Sequence, residues 1–220
     1  MLLLALDTAT PSVTVALHDG SRVLASQTEV TARKHGELLA AIIERALAAA
    51  GAGRADLEAV AVGTGPGPYT GLRAGLMTAR VMASALNLPL VGVCTLDVIA
   101  REAAAGAAGR EFIVATDARR KEVYWARYAP GGQRIAGPSV GAPADVTAGG
   151  AASPVAGEGA ALYPGMAACA ISPRYPDAAR LAEIAAERLA EHAPPEPAEP
   201  LYLRRPDASV PGKPKRVTPC

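Results

Sequence analysis

The feature that most constrains this fold is the order in which strand-like and helix-like patterns follow one another in the first hundred residues. Three strand candidates come first, "LLLALDT", "SVTVALH" and "RVLASQTEV", and the hairpin dipeptide Asp19-Gly20 joins the last two. From Leu38 to Leu47 the apolar residues recur at helical spacing, and Gly51 is a suitable C-cap. A strand meander followed by strand–helix units predicts a mixed sheet covered by helices.

Two strand–helix units follow the first helix. The strand "LEAVAVG" leads through a loop into a helix that ends near Leu86, with Thr70 as its expected N-cap. The strand "LPLVGVCT" leads into a further helix, for which Thr95 is the expected N-cap.

The second half of the chain begins with the same order of elements. "EFIVATDA", "EVYWARYA" and "RIAGPSVG" are strand candidates, "SPVAGEGA" is a short further strand, and a helix with Asp177 as N-cap ends before Pro194. Residues from about 137 to 172 are expected to be irregular. We therefore predict an α/β protein with two related lobes, residues 1–100 and a shorter 101–205, and a flexible tail at 206–220.

Composition and charge argue against several classes of protein. Half of the 220 residues are hydrophobic, yet no apolar run reaches the roughly 18 residues of a membrane span. The net charge of +1 gives no overall attraction to nucleic acid, although "ARRK" (118–121) and "KPKR" (213–216) are locally basic. Three widely spaced cysteines and a start without a basic leader favour reduced thiols and a cytoplasmic location.

The loop "GTGPGPYTGLRAG", residues 63–75, looks like a phosphate-binding loop but lacks its chemistry. A P-loop needs a Lys directly after its last glycine, where this chain has Leu72. The two prolines of the loop remove backbone N–H groups that would otherwise bind phosphate. The loop is therefore interpreted as a rigid connection that directs the following helix.

The turn after the first strand is a second place where phosphate chemistry could occur. Asp7 and Thr8, with Gly65 and Gly67 of the glycine-rich loop, could hold a nucleotide phosphate and its Mg²⁺. The alternative is a hairpin in which Asp7 and Thr8 bond to their own backbone, and the residues alone favour that alternative.

Metal and nucleophile motifs are incomplete. His35 opens the first helix, but the residue one turn later is Leu39 rather than the second histidine that a helical metal pair needs. Ser12, Ser84 and Cys94 lack the surrounding motif of a catalytic nucleophile. The sequence thus predicts neither a metal centre nor a catalytic triad.

The second predicted helix has one face almost without side chains. Gly71, Gly75, Ala79 and Ala83 recur every four residues on it. Such a face allows another element to approach closely, either the first helix of the same chain or a helix of another molecule. We expect a partner molecule to dock there.

Six segments in this order resemble the bacterial TsaB (YeaZ) family over nearly the whole chain: "LALDTATPSVTVAL", "KHGELLAAI", "GTGPGPYTGLRAG", "DARRKEVY", "AGEGA" and "PLYLRR". The resemblance implies the actin-like, sugar-kinase-like ATPase (ribonuclease H-like) fold, with two lobes that each carry a mixed sheet flanked by helices. It also implies a role in forming the threonylcarbamoyl group on the adenosine beside the anticodon of tRNAs that read ANN codons.

The resemblance further implies a scaffold that does not catalyse the transfer by itself. Its partners would be a TsaD-type transferase, with which it forms a heterodimer, and a TsaE-type ATPase. The chain would contact tRNA only as part of this complex. No tightly bound cofactor is expected, and ATP or ADP with Mg²⁺ at the shared interface is left open. A homodimer of the isolated chain through the same helices is expected. The residues expected at the partner interface are His35, Leu38, Leu39, Ile42, Gly71, Arg73, Gly75, Ala79 and Arg80.

Two enzymatic alternatives remain. The fold family includes ATPases and kinases, so a small ATPase that uses Asp7, Thr8, Gly65 and Gly67 is the main alternative. A peptidase would need a metal or a nucleophile, and the sequence offers neither pattern.

Overall fold

The computed structural model describes residues 1–31, 35–147, 153–166, 169–191 and 196–204. Its strands are β1 (Leu3–Asp7), β2 (Ser12–His18), β3 (Val23–Val30), β4 (Ala59–Gly63), β5 (Leu90–Val93), β6 (Phe112–Asp117), β7 (Val123–Tyr128), β8 (Arg134–Gly141), β9 (Pro154–Ala156) and β10 (Cys169–Ile171). Its helices are α1 (His35–Ala50), α2 (Tyr69–Leu86), α3 (Thr95–Gly106), α4 (Pro143–Thr147), α5 (Glu158–Leu162) and α6 (Ala178–Ala190). The predicted tail, with its basic "KPKR", lies outside the described residues.

The strands form two five-stranded sheets with the same topology. The first has the order β3-β2-β1-β4-β5, and the second has the order β10-β9-β6-β7-β8, which is the same series read from the other edge. In both sheets the three meander strands pair antiparallel and the later two pair parallel. The predicted two-lobe, actin-like (ribonuclease H-like) architecture is therefore confirmed.

Each lobe contributes one helix to the other lobe's sheet. The apolar side of α6, including Leu181 and Ala185, packs on β1, β4 and β5 of the first sheet. The apolar side of α3, including Ile99 and Ala103, packs against β6, β7 and β9 of the second sheet. The predicted lobe boundary at residue 100 falls inside α3.

Some predicted helix ends are confirmed and others are wrong. Asp177 caps α6, since its carboxylate accepts a hydrogen bond from the Ala179 N–H, and Gly51 follows α1 with φ +66°. Thr70 is not an N-cap, because α2 already begins at Tyr69 after Pro68. Thr95 is the first residue of α3 rather than its cap, and its hydroxyl is bonded elsewhere.

Within the region from 137 to 172, the described residues (137–147, 153–166 and 169–172) are more regular than expected, and the rest of that prediction lies outside the described residues. The region contains the end of β8 and the short elements α4, β9, α5 and β10. These elements are three to five residues long, so the sequence window is too short for a periodic pattern to show. No helix of the described residues is long and apolar enough to cross a membrane.

Candidate functional site

The Asp7 carboxylate is sealed inside the first lobe. It is fully buried, its Oδ1 accepts from the Ala9 N–H at 2.7 Å, and its Oδ2 accepts from the Thr95 hydroxyl at 2.7 Å. A Cβ at Gly63 would lie 1.9 Å from Oδ2, so the carboxylate packs directly against that glycine. Burial raises the pKa of Asp7 to about 6, although both hydrogen bonds oppose this shift.

Thr8 joins the turn after β1 to the first turns of α2. Its buried hydroxyl donates to the Gly71 carbonyl at 2.7 Å and accepts from the Gly75 N–H at 3.0 Å. A Cβ at Gly75 would lie 2.4 Å from this oxygen. Gly75 is therefore required for close packing within the chain.

The small-residue face of α2 consequently points inward, which corrects the sequence-based interpretation. Gly71, Gly75, Ala79 and Ala83 are all buried in this chain. The helix packs this face on β4 and β1, because small residues let the helix lie close to the sheet. They offer no surface to another molecule.

The glycine-rich loop is shaped by contact between backbones rather than by phosphate. A Cβ at Gly67 would lie 2.0 Å from the Ala9 carbonyl oxygen, so this glycine lets the loop lie against the turn after β1. Gly65 has φ +85°, and its N–H donates to the Thr95 hydroxyl at 3.1 Å. The fold thus brings together the four residues predicted for a nucleotide site, Asp7, Thr8, Gly65 and Gly67. Their polar groups bond to other groups of the chain, and they pack closely.

These residues do not fit a Mg²⁺–nucleotide. A carboxylate that binds Mg²⁺, directly or through water, needs an accessible oxygen, and both oxygens of Asp7 are buried and hydrogen-bonded. The Thr8 hydroxyl is likewise used by Gly71 and Gly75. The hairpin alternative, in which these side chains bond to their own chain, describes the arrangement better.

A narrow cleft lies between the lobes. Its lining comprises Ala9, Thr10, Pro11, Pro68, Thr116, Asp117, Arg119 and Glu158. Its volume of about 10 Å³ has room for roughly one water molecule. Thr116 Oγ1 is buried there and has no hydrogen-bond partner among the described residues, while Glu158 accepts from the Tyr175 hydroxyl at 2.8 Å.

The turn between β6 and β7 has an unusual backbone. Arg119, Arg120 and Lys121 have φ values of +62°, +55° and +60°, and all three are exposed. Left-handed conformation costs a residue with a side chain about 1–2 kcal/mol, and it normally occurs at single positions. The basic turn, defined as Arg119–Lys121, therefore carries backbone strain at three successive residues.

The outer side of α2 carries several exposed apolar side chains. Tyr69, Met77 and Val81 are 55%, 51% and 60% exposed. The Arg73 guanidinium lies over the Tyr69 ring, 4.8 Å from its centre. We call these four residues the α2 face. This face was not predicted from the sequence, although the apolar residues at positions 69, 77 and 81, opposite the small residues, could have indicated it.

The C-terminal segment 196–204 extends this surface and links the lobes. The Tyr202 ring stacks on Tyr69 with centroids 5.6 Å apart, and the Arg80 guanidinium donates to the Ala198 carbonyl. Arg204 donates to the Ala118 carbonyl at 3.0 Å in the second lobe and pairs with Glu122. The motif "PLYLRR" contains Tyr202 and Arg204, but these contacts were not predicted from the sequence.

The other residues predicted at the partner interface fall into three groups. Leu39 and Ile42 are buried in the core of the first lobe, so their assignment to an interface is wrong. Leu38 packs partly on that core, and the Arg80 guanidinium donates a hydrogen bond to the Ala198 carbonyl. Arg73 is exposed as expected, while the side chain of His35 lies outside the described residues.

The two described cysteines lie in different environments. Burial raises the pKa of the Cys94 thiol to about 12, so it carries no thiolate at neutral pH. Cys169 is exposed. No cluster of three or more His, Cys, Asp or Glu side chains suitable for a metal occurs among the described residues.

Comparison with known proteins identifies similar chains. The family model "TsaD: tRNA N6-adenosine threonylcarbamoyltransferase" matches residues 21–173. An uncharacterized protein of Mycobacterium tuberculosis is 47% identical over 210 residues, which is 93% of this chain and 92% of that protein. The Escherichia coli tRNA threonylcarbamoyladenosine biosynthesis protein TsaB is 34% identical over 128 residues, 58% of this chain and 55% of that protein.

A solved structure resembles nearly the entire chain. YeaZ from Pseudomonas aeruginosa superposes with a TM-score of 0.79 at 30% identity, covering 92% of this chain and 99% of that chain. The likeness therefore spans both lobes rather than the first lobe alone.

Proposed function

Because this chain belongs to the TsaB (YeaZ) group of the TsaD family, we propose that it is the non-catalytic partner of a TsaD-type transferase. The pair forms the threonylcarbamoyl group on the adenosine beside the anticodon of tRNAs that read ANN codons. A relative whose printed name places it in threonylcarbamoyladenosine biosynthesis supports the pathway. The sealed Asp7 and the incomplete nucleophile motifs support a scaffold rather than a catalyst.

The observation that carries this proposal is the α2 face. Met77 and Val81 are large apolar side chains more than half exposed on neighbouring turns of one helix. At the end of the same surface, Tyr69 stacks with Tyr202 and lies beneath Arg73. Aromatic, Met and Arg side chains are enriched in protein interfaces, so the α2 face is suited to a protein partner.

Binding to a purified TsaD-type protein of the same organism tests the proposal. We expect Met77→Asp to weaken the complex at least about tenfold, because it places a charge in the apolar centre of the interface. The matched control is Ile135→Asp, since Ile135 is 50% exposed but lies on β8 of the second lobe. Equal affinity of both variants and the wild type would show that α2 is not the interface.

A second proposal concerns self-association of the isolated chain. We propose that it forms a homodimer through the α2 face when no partner is present, since an isologous contact buries the same patch on both copies. Sedimentation at several concentrations measures this, and Met77→Asp is expected to give a monomer where Ile135→Asp does not. A TsaE-type ATPase and a cytoplasmic location complete the proposal.

The ATPase alternative is supported only by the juxtaposition of Asp7, Thr8, Gly65 and Gly67. Their closed packing argues against it, and we propose that any ATP or ADP with Mg²⁺ binds at the interface with the partner. Calorimetry of the isolated chain with Mg-ATP decides between the two. Tight binding that Asp7→Asn abolishes would favour the ATPase.

A further inference from the structure

Two features of the basic turn are energetically unfavourable: its left-handed backbone and its adjacent like charges. Three successive residues with side chains take the left-handed conformation, which glycine or asparagine adopts with less strain. The same three residues carry like charges at adjacent positions, and these charges repel one another. A tight hairpin favours positive φ in its turn, but glycine or asparagine would supply it at lower cost, so the three basic side chains are what the connection between β6 and β7 does not explain.

The backbone of the turn is held in one conformation by its neighbours. The Asp117 carboxylate accepts from the Arg119 N–H at 2.8 Å, and the Glu122 N–H donates to the Arg119 carbonyl at 3.0 Å. Arg204 donates to the carbonyl of Ala118 from the C-terminal segment. The three cations are thus presented on a fixed base rather than on a free loop.

The basic turn is rich in exposed cationic side chains. In the segment from Asp117 to Glu122 three basic residues stand beside two acidic ones, and Arg204 adds a cation from the C-terminal segment. Glu122 pairs with Arg204, and Asp117 lies 3.4 Å from the Arg119 guanidinium. The turn is therefore an exposed cationic projection.

The position of the turn relates it to the α2 face. Arg119 and Pro68, the residue just before α2, line the same interlobe cleft. Arg204, bonded at the base of the turn, follows Tyr202 by two residues, and Tyr202 stacks on Tyr69 of α2. Two residues of chain span at most about 7 Å. The basic turn thus adjoins the edge of the proposed partner surface.

The geometry points to the basic turn as a binding site for backbone phosphates of the RNA that the complex modifies. This inference rests on the proposed function, which brings a TsaD-type protein and its tRNA to the adjoining surface. Exposed Arg and Lys side chains bind phosphates without reading sequence. A phosphate bound by the turn offsets the repulsion between its charges.

Binding of an unmodified tRNA transcript by the assembled complex tests this inference. The variant R119N/R120N/K121N removes the three charges but keeps residues that tolerate the left-handed backbone. We expect it to weaken tRNA binding about tenfold or more near 0.1 M salt and to reduce the slope of log K against log salt by about 2–3. R119K/R120K, which keeps the charges, is expected to stay within about threefold of the wild type.

Two controls separate this inference from the proposed function and from misfolding. Complex formation with the TsaD-type protein is measured on the same variants, and its absence in the wild type would overturn the proposed function itself. Arg22→Asn removes an exposed cation from the β2–β3 hairpin and should leave tRNA binding unchanged. If the triple variant does not fold, K121N alone is expected to reduce the salt slope by about 1. An intact complex with unchanged tRNA affinity and salt slope in the asparagine variants would overturn the inference.

Discussion

At the scale of single residues, the glycines of this chain mark places where two backbones or a backbone and a buried side chain meet. Gly63 faces the Asp7 carboxylate, Gly67 faces the Ala9 carbonyl, and Gly75 faces the Thr8 hydroxyl. Three separate close contacts thus hold the glycine-rich loop and α2 against the turn after β1. A phosphate-loop pattern and a close-packing pattern look alike in sequence, because both need residues without a side chain.

The contact at Gly75 gives a prediction for stability. Gly75→Ala places a methyl group 2.4 Å from Thr8 Oγ1, an oxygen already fixed by two hydrogen bonds. We expect the free energy of unfolding in urea to fall by about 1–3 kcal/mol. Gly36→Ala is the matched control in α1, where nothing lies within 4 Å, and it should be neutral or stabilising by up to about 1 kcal/mol. Equal effects of the two substitutions would contradict the close packing.

The buried Asp7 gives a prediction for pH dependence. Its pKa of about 6 exceeds the ordinary value of 3.8, so the folded protein binds this proton more tightly than the unfolded chain does. The free energy of unfolding should therefore fall as the pH rises from about 4 to about 6, by on the order of 2–3 kcal/mol. Asp7→Asn should lack this component and be at least as stable as the wild type at pH 7. Parallel pH profiles of the two proteins in chemical denaturation would show that the carboxylate is not destabilised by burial.

At the scale of elements, long strands and helices were predictable and the packing of their faces was not. The meander, α1, α2, α3 and α6 follow from periodicity that extends over many residues. The small-residue face of α2 was recognised but assigned outward, because sequence spacing shows which residues share a face and not what that face contacts. The short elements between 143 and 171 have too few residues to show a period.

The exchange of α3 and α6 between the sheets could not be predicted from local sequence either. Leu181 of α6 is fully buried on the first sheet, yet α6 follows the last strand of the second. Detachment of α6 therefore removes packing from the first sheet and from α3, the helix that packs against the second sheet.

This exchange predicts a single unfolding transition. We expect Leu181→Ala to lower the free energy of unfolding by about 2–5 kcal/mol. The midpoint should shift equally for circular dichroism and for the fluorescence of Trp125, the single tryptophan, which lies in the second lobe. A tryptophan transition that stays at the wild-type midpoint would show that the lobes unfold independently. Leu162→Ala on α5, where the side chain is 45% exposed, is the control with little expected effect.

At the scale of the whole molecule, the two lobes share one topology, and the parts of the chain proposed to meet other molecules lie on the outside. The α2 face belongs to the first lobe and the basic turn to the second, with the C-terminal segment joining them. The turn that would hold a nucleotide phosphate in an enzyme is closed by Asp7, Thr8 and the glycine-rich loop. The proposed functions of the chain therefore lie on its outer surfaces rather than at an interior site.

The most direct test of this account is threonylcarbamoyl transfer to tRNA in a reconstituted system that contains the TsaD-type and TsaE-type proteins. Labelled threonine incorporated into an ANN-decoding tRNA is measured with wild type, Val81→Asp and Asp7→Asn. We predict that Val81→Asp lowers the rate at least about tenfold, because it places a charge on the partner surface, whereas Asp7→Asn stays within about threefold of wild type. Full activity of Val81→Asp together with loss of activity in a folded Asp7→Asn would contradict the account and assign the function to the interior site.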